Sequence, residues 1–331
     1  MRAVVLTEYG DVDVLRVVEV DDPVPGPEEV LVEVVATALN RADLLQRRGL
    51  YPGPPIAGFT PPAPEIPGME FSGRVVGCGE RVTRWSIGDE VMGIVGGGAC
   101  AERLVVHADQ ALAVPVPVSV ADAAAIPEVW ITAFDALVAQ GGLTSGRTAL
   151  VHAGASGVGT AAIGICRAIG ARCIVTTSSG KVDACRALGA DVVVDYTTED
   201  FVTAALAATS GSGVDVVLDV IGGDYVDRNV ASLRVGGCIV QVGTMGGGRA
   251  DIALGALLPK RATLIGTVLR PRPLDEKIAI TRRFGAEIAP LFDRGVLAPV
   301  IDSRYPLADI ADAHRRMESN ANIGKILIDV A

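Results

Sequence analysis

From Thr148 onward the chain repeats one arrangement: a short, nearly unbroken apolar run, a glycine-rich or polar turn, then apolar residues spaced as on one helix face. The runs at 149–151, 173–175, 192–194, 214–220, 238–242 and 264–268 predict strands, and 157–169, 181–188, 201–208 and 225–233 predict the helices between them. Strands that read as continuous apolar runs are buried on both faces, as in a parallel sheet covered by helices. The first 120 residues differ. Short runs at 3–6, 15–20 and 30–35 alternate with turns punctuated by Pro23, Pro25, Gly26 and Pro27, a pattern of antiparallel β with tight loops. A short helix is expected over 40–48, a loop rich in Pro and Gly over 49–67, and strands at 73–76, 90–94 and 101–106. Near Val120 a helical region opens and runs through 130–137. After Leu269, Arg270-Pro271-Arg272-Pro273 interrupts the series; a long helix over 275–293, a strand near 300, a helix over 308–318 and a last strand at 325–328 follow. The expected organisation is α/β: a β-rich domain from 1–121 and 270–331, and a doubly wound domain inserted at 122–269.

Composition narrows the function classes. The chain has 331 residues, ample for two cores, and 50% of them are hydrophobic, yet no apolar run approaches a membrane span and the first residues resemble neither a signal nor a transit peptide. A net charge of −10 without long charged blocks argues against nucleic acid or an anionic membrane as the main partner. The six cysteines (78, 100, 166, 173, 185, 238) form no C-x-x-C and read as reduced thiols of a cytoplasmic protein.

The chemistry begins between the first two inner runs. Gly157-Val158-Gly159-Thr160-Ala161-Ala162 fits the G-x-G-x-x-A dinucleotide fingerprint, set between two predicted strands. Such a turn lets backbone N–H groups reach a pyrophosphate and aims the positive end of a helix at it. About 20 residues further on, where an NAD site carries an acidic residue for the ribose, stands Thr176-Thr177-Ser178-Ser179-Gly180-Lys181. Hydroxyls and a lysine suit a 2′-phosphate, so NADPH is the expected cofactor; a plain solvated helix lysine is the alternative for Lys181.

NRADLLQRRGLYP (40–52), PGMEFSGRVV (67–76), IPEVWITAFDAL (126–137), HAGASGVGTAAI (152–163) and NIGKI (322–326) together resemble the medium-chain dehydrogenase/reductase superfamily. Within it they are most similar to the zinc-independent NADPH:quinone oxidoreductases, the tumour-suppressor-induced type in particular. The resemblance implies a GroES-like catalytic domain, a Rossmann domain, a substrate site in the cleft between them, and a homodimer or homotetramer joined through the Rossmann sheet edge. Zinc-dependent relatives carry a Cys where Asn40 stands and a His where Met69 stands; with only His107, His152 and His314 present, in separate segments, no metal site is expected. Glu70 survives from that motif and reads as structural.

The implied chemistry is metal-free hydride transfer to a quinone. Asn40 would donate to a substrate oxygen, or serve as a helix N-cap. Tyr51 would donate its phenol, or pack as a loop aromatic. Thr132 would border the nicotinamide, or be an ordinary helix threonine. Gly154, Ala155, Ser156, Gly157, Val158 and Gly159 would surround the pyrophosphate; Thr177, Ser178, Lys181 and Tyr196 the 2′-phosphate; Gly243, Thr244, Met245, Thr267, Val268 and Leu269 the nicotinamide side; and Asn322 would touch the cofactor. Two alternatives stand beside this reading. One is a trans-2-enoyl thioester reductase in which Tyr51 protonates the α-carbon. The other is a binding protein that reports NADPH occupancy.

Overall fold

The computed structural model describes residues 1–51, 53–59 and 63–330; Pro52 of the first motif, three residues of the proline-rich loop (60–62) and Ala331 lie outside the described residues. The chain forms two compact units, Met1–Glu128 with Arg270–Ala331, and Val129–Leu269. It passes from the first to the second inside a helix, Pro127–Phe134, downstream of the 121/122 position expected from the change in pattern.

The first unit is built on a seven-stranded sheet. Its long strand Glu29–Ala38 alternates buried and more exposed positions through Val30, Val32 and Val34, the period-2 signature of a sheet with one face on a core. That strand pairs antiparallel with Glu70–Cys78, Arg103–His107 and Lys325–Asp329. The C-terminal strand therefore sits inside the sheet, and beyond it Ile301–Pro306 pairs parallel to it. Val32, Val34, Phe71, Ile326 and Ile328 are among the side chains that close the core. A separate antiparallel pair joins Arg2–Leu6 to Leu15–Glu19. The expected long helix over 275–293 is instead two, Leu274–Glu287 and Ala289–Asp293, broken at Ile288. Pro290 supplies the reason, since it has no N–H to continue the ladder.

The second unit alternates β1 (Thr148–Val151), α1 (Gly157–Ile169), β2 (Arg172–Thr177), α2 (Val182–Ala187), β3 (Val192–Asp195), α3 (Phe201–Ala208), β4 (Val214–Asp219), α4 (Tyr225–Ser232), β5 (Leu233–Gln241), α5 (Leu254–Lys260) and β6 (Thr263–Gly266). All its strand pairs are parallel, in the order β3-β2-β1-β4-β5-β6. Central strands β1 and β2 are almost wholly buried, which explains their unalternating apolar sequence. Helix α1 begins and ends where its caps dictate: Ser156 accepts from the Gly159 N–H, and Gly170 takes the left-handed conformation that stops it. α5 is a helix that the hydrophobic pattern did not predict. Among the described residues no helix is long and apolar enough to cross a membrane, and all six cysteines are free.

Candidate functional site

Strand order reverses between β1 and β4, and in such sheets ligands bind beyond the carboxyl ends of the strands at that switch. The loops that leave this edge carry nearly all the residues expected to hold a dinucleotide. The β1–α1 connection differs from the fingerprint spacing in one respect: Gly157 and Gly159 already belong to the first turn of α1. The reversal itself is made at Ala153, a non-glycine residue with φ of 57°. Gly154 and Gly159 are required for closeness. A Cβ on Gly154 would lie 2.6 Å from the Val175 Cβ, and one on Gly159 would lie 2.3 Å from the Ala153 carbonyl oxygen. These contacts bring loop, helix and sheet together as a pyrophosphate cradle demands. Ala155 is buried, and Ser156 uses its hydroxyl as the α1 cap.

At the end of β2, Thr177 is buried, Ser178 precedes a 3-10 turn over Ser179–Lys181, and Lys181 is half-buried. The neighbouring strand β3 pairs Asp195 with Thr177, and the Tyr196 N–H donates to the Thr177 carbonyl at 3.1 Å, so Tyr196, 50% exposed, stands beside Ser178. A carboxylate absent from the β2 stretch is thus present one strand over. Asp195 accepts from Thr197 N–H (3.0 Å) and hydroxyl (2.7 Å), and hydrogen bonds from Ser179 and Thr197 hold its carboxyl below the usual range. Beyond β5, the Gly243 and Met245 N–H groups donate to the Asp219 and Val220 carbonyls, which folds 243–245 against the end of β4. Past β6, the Thr267 hydroxyl donates to buried Asp135 at 2.8 Å, so this threonine is tied to the helical stretch that follows Thr132. Thr132 is itself buried.

In the first unit the expected residues Asn40, Tyr51 and Asn322 are not all gathered around one group. Asn40 starts the helix Arg41–Arg47, and its N–H is capped by the Asp43 carboxylate at 2.7 Å. Its side chain goes elsewhere. One amide nitrogen donates to Glu70 Oε1 (2.9 Å) and the Ala38 carbonyl (3.3 Å), and Oδ1 accepts from Lys325 Nζ at 2.6 Å. Both amide hydrogens are engaged within the fold, and the residue is 6% exposed. Glu70, fully buried, also accepts from Lys325 at 2.7 Å and from the Glu128 N–H at 2.8 Å. Burial raises the Asp43 carboxyl to about 6 against the pull of its hydrogen bonds and of Lys325 and Arg270.

Tyr51 is organised by Arg270, a residue whose place next to prolines read as punctuation. The buried guanidinium lies 4.9 Å from the Tyr51 ring centroid and donates to the Tyr51 carbonyl (3.2 Å), the Gly96 carbonyl (2.6 Å) and Gln46 (2.7 Å). Burial raises the Tyr51 phenol pKa, so it stays protonated near neutral pH. Asn322 donates to the Gly324 carbonyl at 2.9 Å, closing the turn before Lys325.

Residues 26–117 match the family model described as alcohol dehydrogenase GroES-like domain, and residues 188–328 the one described as zinc-binding dehydrogenase. The synaptic vesicle membrane protein VAT-1 homolog of Rattus norvegicus is 32% identical over 346 residues, covering 99% of this chain and 84% of that protein. The chain belongs to the medium-chain dehydrogenase/reductase superfamily. Two solved superfamily members resemble it along their length. The Escherichia coli quinone oxidoreductase complexed with NADPH is 28% identical, with a TM-score of 0.87 and all of both chains covered. The JamJ enoyl reductase in its apo form is 25% identical, also with a TM-score of 0.87, covering 100% of this chain and 99% of that one. The superfamily makes this protein an oxidoreductase with a nicotinamide-dinucleotide fold, comprising a GroES-like unit and a Rossmann-type sheet. Although one matching model is described as zinc-binding, no group of three or more His, Cys, Asp or Glu side chains suited to a metal ion occurs among the described residues.

Proposed function

We propose that this protein is an NADPH-dependent quinone reductase that works without a metal. The observation that carries the cofactor is the end of β2, where Thr177, Ser178 and Lys181 offer hydroxyls and a cation in place of a carboxylate. NADPH supplies a hydride when bound. Gly154, Ala155, Ser156, Gly157, Val158 and Gly159 would hold its pyrophosphate through backbone and helix end, and Tyr196 would help hold the 2′-phosphate. Gly243, Thr244, Met245, Thr267, Val268 and Leu269, with Thr132, would take the nicotinamide end, and Asn322 would touch the cofactor.

The substrate reading is supported by the proton donors. Asn40 has its amide hydrogens engaged within the fold, leaving Tyr51 as the expected donor whose phenol is retained as an acid. A quinone is already a good hydride acceptor and needs orientation more than an obligate acid. The likeness to an E. coli quinone oxidoreductase agrees with that choice. A second reading, reduction of an enoyl thioester with Tyr51 as the acid, is favoured by the Arg270 cation against that ring and by the likeness to an enoyl reductase.

Steady-state oxidation of NADPH and NADH with 9,10-phenanthrenequinone, beside crotonyl-CoA, separates the two. Turnover of the quinone with NADPH preferred, and retained in Tyr51→Phe, is expected. Turnover of crotonyl-CoA alone, abolished in Tyr51→Phe, would move the assignment to the enoyl reductases.

A further inference from the structure

A line of buried polar side chains runs beneath the carboxyl edge of the second unit's sheet. His152, the last residue before the Ala153 reversal, is fully buried. Its Nδ1 lies 3.0 Å from the Thr176 hydroxyl on β2, and its Nε2 lies 2.7 Å from Asn229 Oδ1 on α4. Asn229 Nδ2 donates to Asp219 Oδ2 at 2.9 Å, and Asp219 Oδ1 accepts the N–H groups of Ile221 (2.6 Å) and Gly222 (3.0 Å). From there the line leaves the side chains. Gly222 bridges to Gly247, and the Gly223 N–H donates to the Gly247 carbonyl at 3.1 Å.

The hydrogen positions follow from chemistry. A carboxylate only accepts, so the Asn229 amide turns its nitrogen to Asp219 and its oxygen to His152. His152 Nε2 must then carry the proton, and Nδ1 accepts from Thr176. Desolvation lowers the pKa of this imidazole, against the pull of Asp219, which keeps the neutral form that such a chain needs. Phe201 and Tyr225 meet the ring edge-on, each with centroids 4.8 Å away, and hold its plane.

Burying an imidazole, a carboxamide and a carboxylate is expensive, and apolar residues of like volume would fill a core more cheaply. The location gives the reason. The line crosses from β1 to β4, where the strand order reverses, and its ends fix the β1–α1, β4–α4 and post-β5 loops. We infer that His152 is a positioning residue of the dinucleotide site: through Thr176, Asn229 and Asp219 it locks three cofactor-facing loops into one preformed cradle. The inference rests on the dinucleotide reading of that edge.

Dissociation constants for NADPH, measured by titration of the full chain, test it. In His152→Leu, Kd is expected to rise by about tenfold or more, while kcat at saturating NADPH and the quinone KM stay near wild type. His152→Gln, whose amide N–H can replace Nε2–H toward Asn229, should recover most of the affinity. His152→Leu and Asn229→Leu should be strongly non-additive in a double-mutant cycle. Should His152→Leu fail to fold, the isosteric Thr176→Val, which removes a single hydroxyl, is expected to weaken NADPH by about threefold. Wild-type affinity in a folded His152→Leu, or in Thr176→Val when the leucine variant does not fold, would overturn the inference. So would equal losses of affinity, kcat and Tm in the Leu and Gln variants. A wild-type protein that binds no NADPH would remove the dinucleotide reading and this inference with it, whereas tight wild-type binding with unchanged variants removes the inference alone.

Discussion

The Lys325 ammonium sits 2.6 Å from the Asn40 side-chain oxygen, joining the last strand of the chain to the start of its first α-helix. The same ammonium neutralises Glu70, which is fully buried and has no other cation bonded to it among the described residues. Lys325→Met should therefore strand a carboxylate in the core. Its expected cost is about 3–5 kcal/mol in urea unfolding, and Lys325→Met with Glu70→Gln should recover part of that loss.

Acid stability should be governed in part by His314. Its Nε2 is buried without a hydrogen-bond partner among the described residues, and burial beside Arg47 lowers its pKa from 6.5 to about 3. The unfolded chain then takes up a proton below pH 6.5 that the folded chain refuses. This contribution is complete above pH 6.5 and falls as pH drops toward 3, by at most about 1.4 kcal/mol per pH unit. Urea midpoints from pH 7 to pH 4 should fall less steeply in His314→Leu than in wild type; identical slopes would contradict the assignment.

Cofactor preference should shift with one side chain. Lys181→Ala is expected to lower kcat/KM for NADPH by about ten- to a hundredfold and leave NADH nearly unchanged, because only the first carries the 2′-phosphate. An equal effect on both would place Lys181 outside that contact.

The legibility of the sequence differed between the two units. Each strand of the second unit announced itself as an apolar run, which in β1 and β2 follows from burial on both faces, and α1 and α3 were legible from first to last residue. What periodicity cannot carry is a partnership between distant residues. Lys325 lies 285 positions from Asn40, and Arg270 lies 224 from Gln46, so neither revealed its partner. The fingerprint named Gly157 and Gly159 but not Ala153, where the backbone turns left-handed, since a match to a pattern does not say which residue turns the chain. The break at Ile288 was foreshadowed by Pro290, outweighed by a continuous helical pattern on either side.

The exposed edge of the second sheet predicts an association. Among the described residues β6 pairs with β5 alone, and Leu264 in it and Val268 just past it, with Leu254 and Leu258 of α5, are exposed. An unprotected apolar edge strand invites a second copy. Light scattering should give a dimer for the wild type, and Leu264→Asp should shift it to monomer without loss of secondary structure; an unaffected mass would exclude β6 as the contact.

The position of strand Lys325–Asp329 also sets an order of events during synthesis. Residues 129–269 form one unbroken stretch that can close its sheet as soon as it clears the ribosome. The other sheet cannot, because its interior strand Lys325–Asp329 is made only after that stretch. Until then Glu70 waits without its ammonium, and the edge of Glu29–Ala38 stays open. A nascent chain arrested short of Ile326 would carry a finished Rossmann-type unit between two parts of an unfinished one.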